Sequence, residues 1–340
     1  MRAALLREYH RPLELIDLPV PEPERASDVL VRVGGAGVCA TDLHAIDGLM
    51  EPAGVTLPRV LGHENAGWVE AVGDGVTTVA PGDAVIVYPP FSCGLCVACR
   101  RGDDMHCTRH AFTGLSLDGG FAEFVVVSER SVIALPPGVQ PVDVAPHADA
   151  GLTAYHVVRR LAPLLLPGTT VAVIGVGGVG HIALQLVREL GSSDVVALDT
   201  DARRRSLASE LGAKEVFEGG AIDAVREATN GRGADVVLDF VGTDSTHADG
   251  LAMLARHGTY SVVGYGGMIS VPSVALVVEE KSIVSNLVGS WIDLWELVQL
   301  HARGRIELRT HTYPLEEINE VLAELRDGDV TGRAVIVPQP

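Results

Sequence analysis

No run of 18 apolar residues occurs anywhere in the chain, so no segment has the length and character that spans a bilayer as a helix. An apolar leader core is missing too, because Arg2, Arg7 and Glu8 interrupt the opening segment. Positive charge is scarce: 26 lysines and arginines face 44 aspartates and glutamates, a formal net charge of -18. Nucleic-acid phosphates and anionic lipid would be repelled. Cysteines number five, too few and too odd a count for a disulfide framework in 340 residues. Internal repeats, low-complexity tracts and long linkers are also lacking. These absences point to a cytoplasmic protein with a small-molecule partner, not nucleic acid or membrane.

What is present suffices for a sizeable core, with 47% hydrophobic and 21% charged residues in one large or two ordinary domains. Up to about residue 147 the chain is punctuated by Gly and Pro, with short runs such as DVLVRV (Asp28 to Val33), DAVIVY (Asp83 to Tyr88) and FAEFVVV (Phe121 to Val127). This pattern predicts a mostly β module. From about residue 150, strand-like and helix-like segments alternate: TVAVIGV, HIALQLVREL, DVVALDT, ARRRSLASELGA, ADVVLDFVG and TYSVVGYG. Such alternation predicts an α/β domain with a doubly wound parallel sheet. Near the end, WIDLWELVQLHARG and PLEEINEVLAELRDG precede GRAVIVP, a tail that could rejoin the first domain.

Four cysteines cluster as C-x2-C-x2-C-x7-C at Cys93, Cys96, Cys99 and Cys107. Four soft sulfurs at this spacing suit a closed tetrahedral zinc site that contributes folding energy and no catalysis. An iron-sulfur cluster, or buried redox thiols, are the alternatives. Farther on, Gly175, Gly177 and Gly180 form G-x-G-x-x-G directly after an apolar strand and before a helix, with Gly178 and Val179 inside the turn. Glycines there allow a tight turn and close approach of a pyrophosphate to the helix N-terminus. Asp199, closing DVVALD, can accept from adenosine ribose hydroxyls and would repel the extra phosphate of NADP, which points to NAD. Arg203 could reach the ribose or pyrophosphate, or lie solvated in its arginine run. Cys39 in CATDLH and His63 in GHENAG offer a thiolate and an imidazole for a second metal, although isolated Cys and His residues are as often core.

With these residues in view, the chain resembles the zinc-dependent alcohol dehydrogenases of the medium-chain dehydrogenase family over essentially its whole length. The most specific match is GHENAGWVEAVGDGV, which fits G-H-E-x2-G-x5-G-x2-V through Gly62, His63, Glu64, Gly67, Gly73 and Val76. The resemblance implies a Rossmann domain at 148–284 and a GroES-like catalytic domain at 1–147 with a structural zinc lobe at 93–107. Residues 285–340 are then expected to complete the Rossmann sheet and rejoin the catalytic domain. It further implies NAD and two zinc ions per chain, one structural and one catalytic.

By the same resemblance, Cys39 and His63 bind the catalytic zinc, Asp42 orients His63, and Glu64 lies close enough to exchange onto the metal. The third ligand, often a cysteine in the family, would be Asp149 in the stretch Asp149 to Tyr155. The alternative is that Asp149 caps a helix and Glu64 takes its place. The alcohol proton would pass through the Thr41 hydroxyl and the cofactor ribose to His44, then to water. Thr153 and Val179 would pack on the nicotinamide, Val241 and Gly264 would line the cofactor, and Arg333 would meet the pyrophosphate. The implied reaction is oxidation of primary or secondary alcohols, with zinc polarising the oxygen and hydride passing to NAD. Apolar Leu49, Met50, Val55 and Leu57 in the Ile46 to Val60 loop favour hydrophobic alcohols. A polyol or other specialised dehydrogenase, or a silent cofactor-binding relative, are the alternatives. Trp291 stands where many bacterial relatives place an arginine. With Trp295 and the SVALVV run it offers surface for a homo-oligomer, a tetramer or dimer, or else serves as core.

Overall fold

The computed structural model describes residues 1–51 and 54–338. Positions 52 and 53 of the expected substrate loop lie outside the described residues. The chain divides into two compact units, Met1–Leu152 with Ser290–Pro340, and Thr153–Gly289. Among the described residues no helix is long and apolar enough to cross a membrane.

The first unit is mostly β. Strands β1 (Arg2–Leu6), β2 (Glu14–Asp17), β3 (Asp28–Gly37), β4 (Arg59–Val60), β5 (Glu64–Val72) and β6 (Ala84–Val87) occupy its first part. They are followed by β7 (Pro90–Phe91), β8 (Ala111–Phe112), β9 (Phe124–Ser128) and β10 (Val132–Ala134). Antiparallel pairing dominates, with β3 at the centre against β5 and β9. Alternation drives this: along β9 the valines at 125 and 127 are buried and their neighbours half-exposed, the period of a sheet with one packed face. Short helices α1 (Ala40–Ile46), α2 (Val97–Arg101) and α3 (Pro141–Val144) connect the strands. The core gathers Leu6, Val31, Val33, Leu61, Val85 and Phe121 with Leu315 and Ile336 from the end of the chain.

The chain passes between the units within α4 (Ala150–Leu161). In the second unit, strands β11 (Thr170–Ile174), β12 (Asp194–Leu198), β13 (Glu215–Phe217), β14 (Ala234–Asp239), β15 (Leu254–Val262) and β16 (Ser282–Ser285) form one parallel sheet in the order β13-β12-β11-β14-β15-β16. Connecting them are α5 (Gly180–Leu190), α6 (Ala202–Glu210), α7 (Ile222–Ala228), α8 (Asp244–Met253) and α9 (Ser273–Glu279). Every residue of β11, TVAVI, is buried, as a central parallel strand covered on both faces requires. The strand order reverses between β11 and β14, which is where such sheets take ligands.

After residue 289 come α10 (Trp291–Ala302), β17 (Thr310–Pro314), α11 (Ile318–Asp327) and β18 (Arg333–Val337). Here the structure corrects an expectation. The segment 285–340 does not complete the six-stranded sheet, whose last strand is Ser282–Ser285; both later strands join the first unit's sheet, β18 antiparallel to β3 and β17 parallel to β18. The physical reason is that Ala334 and Ile336 bury their side chains in the first core, beside Leu315 and Ile318, while Val335 is buried on the strand's other face against Gly35 of β3.

Gly180 opens α5 so close to β11 that a Cβ there would lie 1.8 Å from the carbonyl oxygen of Gly175. Backbone cannot yield as a side chain can. The Gly180→Ala protein is therefore expected to lose about 1–3 kcal/mol of stability, read as an earlier urea midpoint. An unchanged midpoint would show that the helix does not depend on this contact.

Candidate active site

Strand registers assemble the first cluster. Antiparallel pairing of β3 with β5 sets Gly37 opposite Glu64, which brings Cys39, just past β3, beside His63, just before β5. Pairing of β18 with β3 at Val335 and Gly37 carries Arg333 to the same end. Cys39 is the N-cap of α1, and Asp42 at the helix's third position accepts its backbone N–H at 2.9 Å through Oδ2. The other oxygen of Asp42 lies 3.2 Å from His63 Nδ1. This contact is an ion-pair approach and not a formed hydrogen bond, and a carboxylate there favours a proton on Nδ1, which leaves Nε2 for a metal. A 3-10 turn, Ala145–Ala148, delivers Asp149. Its Oδ2 lies 3.4 Å from His63 Nε2 and 3.7 Å from Cys39 Sγ.

Three donors therefore converge, with Glu64 as a fourth nearby, all ligand atoms within 4.8 Å of one another. A tetrahedral zinc with ordinary bond lengths would separate N from O by about 3.4 Å and S from O by about 3.6 Å, so the donor set fits such an ion. Buried His63 Nε2 and Glu64 Oε2 have no hydrogen-bond partner. Burial disfavours charge on His63, but the carboxylates of Asp42 and Asp149 outweigh it and hold the ring well above its ordinary pKa. Glu64, fully buried, is pushed up to about 7 by desolvation while Arg333 opposes the rise. It accepts the Ala150 N–H at 3.2 Å and forms a buried ion pair with Arg333. Arg333, expected at the cofactor pyrophosphate, is only 4% exposed and turns its guanidinium to Glu64.

Thr41 and His44 share a face of α1, three residues apart. The Thr41 hydroxyl stands 3.7 Å from Cys39 Sγ. Partial burial lowers the His44 pKa, with Asp47 opposing and Arg326 adding to the shift. A bidentate ion pair of Arg326 with Asp47, at 2.8 and 2.9 Å, ties the end of α1 to α11. Phe112, which sequence reasoning passed over, sets its ring edge-on to His63 at 6.0 Å. Its place in β8 between loops leaves no periodic signal that could have marked it. Trp291 is half-buried and Trp295 exposed, both lining a cavity of about 720 Å³ with Val79, Arg130 and Ile292.

The four remaining cysteines meet in one lobe around α2. Cys96 Sγ lies 3.5 Å from Cys99 Sγ, and Cys93 Sγ 4.0 Å from Cys99 Sγ, which bracket the separation of about 3.8 Å expected around a tetrahedral zinc. Backbone N–H groups of Cys93 and Arg109 point at Cys107 Sγ, both at 3.3 Å.

In the second unit the glycine turn follows β11. Gly175 has φ +85°, a conformation that favours glycine, and the space where a Cβ of Gly177 would stand is open. Val179 is the N-cap of α5 without a side-chain cap bond, so the helix end presents backbone N–H groups to an anion. Asp199 is buried after β12, accepting Val176 N–H at 2.8 Å and Asp201 N–H at 2.9 Å. Val241 follows β14 and Gly264 follows β15, both at carboxyl ends of strands, while Thr153 lies half-buried on α4. Arg203 is exposed and paired with Asp201 at 2.9 Å.

A fold with this strand order and two cysteine-bearing metal-type centres defines a zinc-binding nucleotide-dependent dehydrogenase. Comparison agrees: residues 25–137 match the alcohol dehydrogenase GroES-like domain, and residues 178–303 match the zinc-binding dehydrogenase family. An NAD-dependent alcohol dehydrogenase of Sulfurisphaera tokodaii is 34% identical over 99% of this chain and 100% of its own. A D-arabinose 1-dehydrogenase (NADP(+)) of Saccharolobus solfataricus is also 34% identical, over 99% of this chain and 97% of its own. The crystal structure of an alcohol dehydrogenase from Aeropyrum pernix superposes with TM-score 0.96 at 44% identity, covering 99% of this chain and 100% of that one. The chain belongs to the zinc-type alcohol dehydrogenases of the medium-chain dehydrogenase family, oxidoreductases acting on CH–OH groups.

Within the cysteine lobe the thiols are unlike. Backbone N–H groups of Cys99 and Thr108 lower Cys96 to about 6, while burial pushes Cys99 up to about 12. In chelator-treated protein at neutral pH, Cys96 stands above its pKa as thiolate and Cys99 far below as thiol. Iodoacetamide is therefore expected to label Cys96 first, read by peptide mass spectrometry. Equal rates would contradict this difference.

Proposed function

We propose that the chain oxidises hydrophobic primary and secondary alcohols reversibly to aldehydes and ketones, with NAD and a zinc held by Cys39, His63 and Asp149. The observation that carries this reading is the convergence of these three donors, from three chain segments, at tetrahedral spacing. When bound, zinc supplies a Lewis acid that lowers the alcohol's pKa, and NAD supplies the hydride acceptor.

The chain's own groups do the rest. Asp42 keeps His63 in the ligating tautomer. The Thr41 hydroxyl would accept the alcohol's proton as it gives up its own towards the cofactor ribose, and His44, one turn along α1, would take the proton from there and release it to water. The lowered pKa of His44 keeps the ring neutral, and so able to accept, to lower pH than an ordinary histidine. Glu64, kept in place by Arg333, is a reserve carboxylate for the metal. Gly175 to Gly180 with the α5 N-terminus receive the pyrophosphate, and Asp199 the adenosine ribose. The cysteine lobe holds the structural zinc. Phe112 beside His63 favours apolar substrates, whereas Val55 lies in the first unit's core with Met50 and Leu57 packed against it.

We also read the protein as a cytoplasmic homo-oligomer, a dimer or tetramer. Supporting this, β16 is the edge strand of its sheet and α9 exposes Val274, Val277 and Val278.

NADH formation across primary, secondary, aromatic, polyol and aldose substrates, with NADP in parallel and a chelator-treated control, tests the reading. Expected is metal-dependent turnover of hydrophobic alcohols with NAD. A fully metallated protein turning over only polyols or aldoses, or nothing, would overturn the substrate assignment. In the Asp149→Ala protein, zinc should fall from about two to about one per chain with loss of turnover. Retention of both ions and normal activity would remove Asp149 from the ligand set.

A further inference from the structure

The second unit buries a polar network outside the residues given roles above. Asp239 and Tyr260 are fully buried and His247 nearly so. Tyr260 Oη donates to Asp239 Oδ2 at 2.6 Å, and His247 Nδ1 lies 2.7 Å from the same Oη. With its single proton given to Asp239, the phenol can only accept from His247, which fixes Nδ1–H as the donor. Burial, reinforced by the Asp239 carboxylate, holds the phenol well above its ordinary pKa, so the proton stays on Tyr260. Gly250, one turn beyond His247 on α8, has no Cβ to strike the Tyr260 ring, whose Cε2 would be 2.4 Å away.

The network ends on two turns. Asp239 Oδ1 accepts the backbone N–H groups of Val241 at 2.8 Å and Gly242 at 3.0 Å. Its carbonyl accepts those of Val263 at 3.0 Å and Gly264 at 2.9 Å. Both turns lie at carboxyl ends of strands, beside the reversal of strand order. Val241 packs directly on the glycine turn, since a Cβ on Gly175 would meet Val241 Cγ2 at 2.6 Å.

We propose that Tyr260 and His247 are positioning residues for cofactor binding: they lock the Asp239 carboxylate, which holds the Val241–Gly242 turn against the glycine turn. The inference rests on the proposed assignment of Gly175 to Gly180 and Asp199 to the cofactor. His247 Nδ1 also lies 3.3 Å from Asp239 Oδ2, so loss of the phenol hydroxyl replaces a short, directed donor with one longer contact and loosens the carboxylate that holds the turn.

The zinc-loaded, full-length Tyr260→Phe protein, titrated with NADH by calorimetry and assayed with NAD, is expected to show Kd and KM raised roughly five- to tenfold. Its kcat should stay within about twofold and its zinc content unchanged. His247→Leu should reproduce the loss and His247→Gln, which keeps an N–H donor, should restore most of the affinity. This pair carries the test if Tyr260→Phe does not fold. Unchanged NADH affinity with only a lower thermal midpoint would reduce the network to core stability and overturn the proposal. Asp199→Ala serves as the reference. If it weakens NADH binding while Tyr260→Phe and His247→Leu do not, positioning alone fails. If it does not weaken binding, the cofactor assignment fails and the proposal with it.

Discussion

The carboxylate of Asp42 accepts the Cys39 backbone N–H through one oxygen and faces the His63 ring with the other. A buried carboxylate must find donors or pay several kcal/mol in desolvation, so its two contacts constrain each other. The helix that starts at Cys39 and the strand that starts after His63 cannot shift independently without parting the Asp42 carboxylate from the His63 ring. Thr41 and His44 ride on that helix, and Glu64 opens that strand. The geometry of the metal-type centre, the relay and the Glu64–Arg333 pair all descend from this one group.

Each unit brings its chemistry to the ends of strands, by different means. In the first, antiparallel registers juxtapose residues far apart in the chain, as β18 does for Arg333. In the second, parallel strands deliver their carboxyl ends together, so Gly175, Asp199, Val241 and Gly264 come from the ends of four strands adjacent in the sheet, β12, β11, β14 and β15. Acidic groups recur at both places, and each is tamed by neighbours that hydrogen-bond it. Asp239 accepts two backbone N–H groups of the turn that follows it, and Asp199 accepts one from its own following turn and one from Val176 in the glycine turn, which stiffens these turns as it satisfies the charges.

Much of this was legible before any coordinates. The four-cysteine spacing and the glycine turn are local patterns whose chemistry depends on residues within a turn or two. The mostly β and α/β halves followed from the change in periodicity near residue 150. The pairing of Cys39 with His63 was undecided on spacing alone, and only resemblance supplied it. Fate of the last segment was harder, because the strand RAVIV has the same pattern whichever sheet receives it. Arg333 was read as a cofactor contact, since nothing local shows that a carboxylate waits across the sheet.

The sequence by itself determined which chemistry was available: soft thiolates at chelating intervals, a turn that admits a pyrophosphate, a carboxylate set to meet a ribose. These are properties of side chains close along the chain, where covalent geometry limits the outcomes. Tertiary structure decided which distant groups meet. Glu64 finds Arg333 across 269 residues of chain, and Asp149 reaches Cys39 across 110. Such contacts depend on strand register and on which core accepts an apolar face, and both are settled by the packing of the whole unit.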